Sequence, residues 1–288
     1  MSLSFDRNLL EQALSWPPLP GSVMELTRAA ADPENGASDV AKVLNFDQAM
    51  LTKVLVEANS ATQAAAHAVG TAQDAVMRLG VLRVVSLALS DAVSELLERP
   101  IPAYGLEYCE LSLHSQLASV AAERLIPLTP GLLRGELVTA SLLHDIGKLV
   151  VGQILSETEL GALRAARNVG CQWHTAEQEI LGVDHAEVGR IMLDAWGFPE
   201  DIGLAVHYHH SPSLGGGPMA HGIAIADAVA HGIRDRAGVD TVVDCTLALS
   251  SASELRLAPE SIKNLFDDVE RIWLERTGHK PESAGCDT

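Results

Sequence analysis

A chain of 288 residues with a formal charge of −18 at neutral pH has room for one large domain or two modest ones, each with its own core. Its 20 Lys and Arg against 38 Asp and Glu exclude a nucleic-acid backbone as the main partner, because neutralising phosphates needs cationic side chains, and they give no membrane-surface signal. Hydrophobic residues make up 47% of the chain and aromatic ones only 4%, an Ala- and Leu-rich balance that favours helix packed on helix.

Trp16-Pro17-Pro18-Leu19-Pro20-Gly21 predicts a stiff, extended opening segment, since proline fixes its own backbone and biases the residue before it away from helix. A helix over 22–31 follows and stops near Asp32-Pro33. Ser38 is placed to cap a helix over 39–45, and Asp47 or a neighbour to cap the next, which runs to about Asn59. In that helix Met50, Leu51, Val54, Leu55 and Ala58 recur at helical spacing. Thr71 caps 72–79, Gly80 closes it, and 81–97 is a long apolar helix. Arg99-Pro100-Ile101-Pro102 is the best boundary in the chain. Beyond it helices are expected over 106–125, 131–144, 157–169, 175–181, 185–195, 199–209, 218–232 and 259–276. A loop is expected at 215–218 and a frayed tail at 282–288. There is no internal repeat and no βαβ alternation. The expected fold is all-α, a multi-helix bundle divided into an N-terminal helical lobe (1–100), a second helical lobe (101–235) and a C-terminal helical extension with a tail (236–288).

Cys109, Cys171, Cys245 and Cys286 form no CxxC motif, so they read as free thiols in a reducing compartment, with Cys109 and Cys245 buried. There is no signal-peptide pattern, and no apolar run reaches the roughly eighteen residues a bilayer span needs. The expected location is the cytoplasm.

The run Ser141-Leu142-Leu143-His144-Asp145-Ile146-Gly147-Lys148 sets a His-Asp pair at the end of an apolar helix. A neutral imidazole can bind one metal ion, and a carboxylate can bridge two. Gly147 provides the helix end from which both side chains can reach one centre. Glu110 and His114, four apart, share a helix face. His185 opens a helix, His207-Tyr208-His209-His210 closes the next, and Asp227 sits inside the apolar helix Ile223–Ala230, where an unpaired carboxylate is costly. Taken singly, each has a plainer reading. His67, His174, His221 and His231 are assigned to ordinary hydrogen-bonded positions. Glu110 reads as a solvated helix face, Asp227 as a cap or an Arg partner, and His207 as a partner of His210. Taken together, so many converging N and O groups without metal would leave several unsatisfied, at about 1–3 kcal/mol each.

The order His114…His144-Asp145…Asp227 resembles the H…HD…D pattern of HD-domain metal-dependent phosphohydrolases. The N-terminal part resembles the HDOD family through Leu14-Ser15-Trp16-Pro17-Pro18-Leu19-Pro20, Leu44-Asn45-Phe46-Asp47, Ala58-Asn59-Ser60-Ala61 and Ala75-Val76-Met77-Arg78-Leu79-Gly80. The likeness covers roughly residues 10–235, and Asp47-Gln48 stands where the family has Asp-Pro. The resemblance implies a basic metal site of His114, His144, Asp145 and Asp227. Glu110, His185, His209 and His210 would extend it to two or more ions. Asp145 and Lys148 would be catalytic, with Lys148 on a substrate phosphate. The implied cofactor is one or two divalent transition-metal ions, with Fe, Mn, Ni and Zn all compatible. The implied function is first a bacterial signal-transduction output module with a regulatory protein partner or receiver domain. The second is a metal-dependent phosphohydrolase acting on a nucleotide or other phosphoester, and the third a di-iron oxygenase. Ser211-Pro212-Ser213-Leu214-Gly215-Gly216-Gly217-Pro218 replaces the acidic residue and Gly-Tyr-Pro loop of the related cyclic-dinucleotide phosphodiesterases, so that particular chemistry is not expected.

Overall fold

The computed structural model describes residues 7–32, 34–60, 68–133, 135–235, 242 and 245–277, and among them the chain is helical without strands. The expected tail at 282–288 and His67 lie outside the described residues. Proximity of α-carbons divides the chain into two units, Leu19–Ser94 and Met1–Pro18 together with Glu95–Thr288. Helix α1 (Arg7–Ser15), which the sequence pattern does not announce, belongs to the larger unit.

The smaller unit contains α2 (Gly21–Ala31), α3 (Ala37–Leu44), α4 (Gln48–Ser60), α5 (Ala72–Leu79) and most of α6 (Val81–Leu97). Caps decide where these helices begin. Thr71 accepts the Asp74 amide at 3.1 Å and opens α5, while Gly80 closes it at φ +84°. Asp47 accepts the Met50 amide at 3.0 Å at the start of α4. For α3 the cap is Gly36 rather than Ser38: Asp39 reaches back to the Gly36 amide at 3.1 Å, which moves the start two residues earlier. Val40, Ala41, Val43 and Leu44 then face the core, where α3 packs on α2 and α5.

The larger unit continues with α7 (Glu110–Leu125), α8 (Glu136–Leu143), α9 (Gly147–Ile154), α10 (Glu157–Asn168), α11 (Trp173–Leu181), α12 (His185–Trp196), α13 (Glu200–His207), α14 (Gly217–Arg234), α15 (Thr246–Glu254) and α16 (Pro259–Thr277). Helix α7 starts later than the sequence suggests. Ile101 and Leu106 pair as an isolated antiparallel bridge, and Cys109 adopts a left-handed backbone at φ 65° just before the helix. Neither α9 nor α15 is expected from the sequence. Cys171 and Cys245 are free, whereas Cys109 is disulfide-bonded. Cys109 and Cys245 are half-buried rather than buried.

Two close helix crossings build the frame of the site. Helix α14 lies on α7 and α8 and buries small residues, including Ala220, Ala224 and Ala226. A Cβ at Gly222 would come within 2.8 Å of Leu137 Cδ1, so the absent side chain lets these helices approach. Helix α9 lies on α12, and there a Cβ at Gly147 would stand 2.0 Å from the His185 carbonyl oxygen and 2.6 Å from the Gly189 nitrogen. Both obstacles are backbone atoms, so no side-chain rotation relieves them.

The run Glu136–Ile154, across α8 and α9, is long and apolar enough to cross a membrane by length and composition alone, although His144, Asp145 and Lys148 interrupt it. It is also 83% buried inside the protein, so its apolar surface is already covered by other helices.

Gly147→Ala is expected to lower stability by about 1–3 kcal/mol or more, the range for forcing extra volume into a packed crossing. Thermal denaturation followed by circular dichroism checks this, and an unchanged midpoint would show that α9 and α12 separate freely.

Candidate metal centre

The centre lies where four helix ends and two helix faces meet. His144 and Asp145 occupy the turn between α8 and α9, the place where a helix end lets neighbouring side chains converge. His114 projects from α7, one turn after its start, and Asp227 from the middle of α14. His185 is the first residue of α12, and His209 and His210 follow α13.

One cluster joins His114, His144 and Asp227. His114 Nε2 is 3.1 Å from His144 Nε2 and 3.0 Å from Asp227 Oδ1, and His144 Nε2 is 3.5 Å from the same oxygen. Asp145 Oδ2 stands 3.6 Å from both imidazole nitrogens. A second cluster joins His185, His209 and His210. His185 Nε2 is 3.0 Å from His210 Nε2 and 3.2 Å from Asp145 Oδ1. Asp145 thus turns one oxygen to each cluster. Two ligand atoms about 2.1 Å from one ion stand about 3.0 Å apart at octahedral angles and about 3.4 Å at tetrahedral ones. The closer separations, 3.0–3.2 Å, fall in that range, and those of 3.5–3.6 Å lie just beyond it.

The donor atoms also fit a metal by what they lack. His209 Nε2 and Asp145 Oδ1 are buried without a formed hydrogen bond, although orphaned polar atoms of this kind are costly. The outward nitrogens are tied down: His144 Nδ1 meets Ser141 O at 2.8 Å, and His209 Nδ1 meets Val206 O at 2.6 Å. Such bonds leave Nε2 as the free lone pair, the arrangement seen around metal-binding histidines.

Burial brings His114 down to about 3, with His231 adding repulsion, and brings His209 to about 3, with His144 and His185 adding to it. Burial, then His209 and His185, puts His210 well below the ordinary value. These three are neutral and ready to coordinate. For His185, burial is overcome by the Glu177 carboxylate, which raises the ring to about 9. His144 is also raised, by Asp145 and Asp227 acting against burial. Asp145 stays ionised against burial through Lys148, His144 and His185, and Asp227 through His231, His114 and His144.

Lys148 Nζ lies 2.5 Å from Asp145 Oδ2 and is only 8% exposed. A cavity of about 1390 Å³ opens beside the centre, and Lys148, His185, His210 and Asp227 reach its wall together with Arg167, Arg234, Tyr104 and Trp173. Glu110 is on the same wall but not in either cluster. Its carboxylate accepts the Glu107 amide at 2.8 Å. His207 stays apart as well, edge-on against Tyr208.

Three neighbours escaped the sequence reading. His231 Nε2 is 3.4 Å from Asp227 Oδ1, and its ring lies 4.4 Å from that of His114. Its position four residues after Asp227 on one helix was the available signal. His174 stacks on His210 at 4.1 Å. Glu177, fully buried, touches His185, and nothing in its spacing marked it. The assignment of His221 to an ordinary hydrogen bond agrees with its 3.1 Å contact to Ser251 Oγ.

The family described as the HDOD domain matches residues 16–212. Among solved structures, an HDOD domain protein from Geobacter sulfurreducens superposes with a TM-score of 0.68 at 21% identity, covering 93% of this chain and 95% of the other. A protein of Shewanella amazonensis SB2B named "Putative phosphohydrolase" gives 0.67 at 22% identity, covering 91% and 94%. One from Marinobacter aquaeolei VT8 named "Putative signal transduction protein" gives 0.66 at 23% identity, covering 94% of this chain and 65% of the other. These likenesses show a shared fold. A Treponema pallidum (strain Nichols) protein is 25% identical over 205 residues, which are 68% of this chain and 37% of the relative. The chain therefore spans little more than a third of that relative's length.

Metal uptake is expected to release protons, because a ring held at about 9 must lose its proton to bind. Below that value the proton competes, so affinity at the His185 cluster rises up to about tenfold per pH unit between pH 6 and 8. Calorimetric titration of metal-free protein in buffers of different ionisation enthalpy measures this, and uptake without proton release would contradict it.

Proposed function

The chain belongs to the HDOD domain family, and from that premise we propose that its larger unit is a two-ion phosphoester-hydrolysing centre within a signal-transduction protein. The observation that carries this reading is the division of the Asp145 carboxylate between two clusters, one oxygen 3.2 Å from His185 and the other 3.6 Å from both His114 and His144. His114, His144, Asp145 and Asp227 would hold one divalent transition-metal ion, and Asp145, His185, His209 and His210 the other. Bound there, the ions supply Lewis acidity and a nucleophile at neutral pH.

The chain's own residues do the rest. Lys148 holds Asp145 in place and presents positive charge at the cavity wall, where phosphoryl oxygens of a substrate would lie. Arg167 and Arg234 add cationic groups to that wall in an otherwise acidic chain. Leu142, Leu143, Ile146 and Val150, all fully buried around the His144-Asp145 turn, exclude water from the back of the centre and strengthen the electrostatics there. Glu110, on the same wall, is a candidate further ligand on the family pattern. The cavity also supports this reading because its volume admits an organic phosphoester.

The second reading is a regulatory module that binds metal or ligand without turnover and signals to a protein partner or receiver domain. The segment after His210 favours it. A Cβ at Gly215 would stand 2.4 Å from the Tyr208 ring, so this loop folds tightly onto Tyr208 in place of the substrate-shaping loop of related phosphodiesterases. The name of the Marinobacter relative supports it too.

Elemental analysis of purified protein is expected to find two transition-metal ions per chain. The protein should hydrolyse bis(p-nitrophenyl) phosphate, and a chelator should abolish the activity. Asp145→Asn should reduce it at least about 100-fold, because one substitution weakens both ion positions. Metal-free protein, or activity unchanged in that variant, overturns the hydrolase reading; two ions without hydrolysis favours the module.

A further inference from the structure

Glu177 is a buried carboxylate that no step above uses. It lies on α11, eight residues before His185, and is 0% exposed. Its Oε2 accepts two hydrogen bonds from one residue, the His185 backbone N–H at 2.7 Å and the His185 ring Nδ1–H at 2.7 Å. The Tyr104 hydroxyl faces the same carboxylate and helps to keep it ionised.

A helix-capping role does not account for this geometry. Helix α12 already has its cap, since Asp184 accepts the Glu187 amide at 2.8 Å. The bond to the ring is additional and has a directional result. With Nδ1 held by Glu177, Nε2 points at Asp145 Oδ1, 3.2 Å away, and at His210 Nε2, 3.0 Å away. His144 and His209 are oriented by neutral backbone carbonyls instead. A carboxylate on the far nitrogen both fixes the ring and makes Nε2 a stronger donor. Glu177 makes no contact with His114 or Asp227 among the described interactions.

We propose that Glu177 is the positioning residue of the second ion position, the one formed by Asp145, His185, His209 and His210, and has no part in the first. The assignment rests on the two-ion reading and makes it asymmetric: one position is held by carbonyl-oriented rings, the other by a carboxylate–histidine pair.

The test is a titration of metal-free full-length protein with Mn²⁺ and with Zn²⁺, reading each binding step separately. Glu177→Ala should weaken one of the two steps by about 10–100-fold and leave the other at wild-type affinity. Glu177→Gln, whose amide oxygen can accept both bonds, should restore most of it. A merely structural role would weaken both steps together, and that result, or two unchanged steps in Glu177→Ala, overturns the assignment. If Glu177→Ala fails to fold, Glu177→Asp, which keeps the charge and shortens the reach by one methylene, carries the same comparison. ¹⁵N spectra of the metal-free protein separate this idea from the two-ion reading. The His185 Nδ1–H should be protected from exchange in wild type and Glu177→Gln and lose that protection in Glu177→Ala. Wild type that takes up no ion sinks the two-ion reading. A ring signal indifferent to residue 177 sinks this one.

Discussion

Asp145 has one oxygen against each of two histidine clusters, and the larger unit is organised around keeping that carboxylate ionised and buried. A charge removed from water needs compensation from every side. Here it comes from Lys148 on the next turn, from His144 beside it and from His185 on another helix. Each compensating group must arrive at a fixed distance, and that requirement explains the tight crossings. The bare backbone at Gly147 lets α9 meet α12 so that Asp145 and His185 are neighbours. The small residues of α14 let Asp227 reach His114 on α7. The packing and the polar centre are thus one problem with one solution, and neither can shift without the other.

Much of this was legible in the residues because it depends on local signals. Thr71, Asp47 and Gly80 mark helix ends by their own chemistry, and the structure places them there. His144-Asp145 before a glycine marked a helix end with two adjacent donors, which is what the α8–α9 turn is. The failures have physical causes as well. Ser38 lost the cap to Gly36 because Asp39 could reach the earlier amide. Helix α9 went unexpected because the residues after Gly147 were left without an element once the preceding helix was ended at His144. Glu177 was invisible because its value lies in a contact across space with His185, and a lone Glu on a polar helix carries no mark of burial. His231 and His174 were assigned to ordinary positions one at a time, whereas their meaning comes from Asp227 and His210 next to them.

The acidity of the chain acquires a local meaning at the cavity. A protein with net charge −18 repels phosphates at long range, so any anion it takes must be captured by close groups. Lys148, Arg167 and Arg234 at the wall, together with whatever charge the centre holds, are those groups. That contrast places the cationic groups at the cavity wall while the chain as a whole stays acidic. It is compatible with hydrolysis and with ligand sensing alike, since both begin with selective capture.

The apolar run Glu136–Ile154 has a consequence for the chain before it folds. By length and composition alone, this segment is one that could cross a bilayer. Asp145 and Lys148 stand near its middle, and Asp or Lys at the middle of such a segment opposes insertion by about 2.5–3.5 kcal/mol each. Two residues of the centre in the folded protein therefore also oppose insertion of the segment before it folds. A lineage that lost the centre by drift to apolar residues at 145 and 148 would lose more than a site, because its core helix would then be fit for a bilayer.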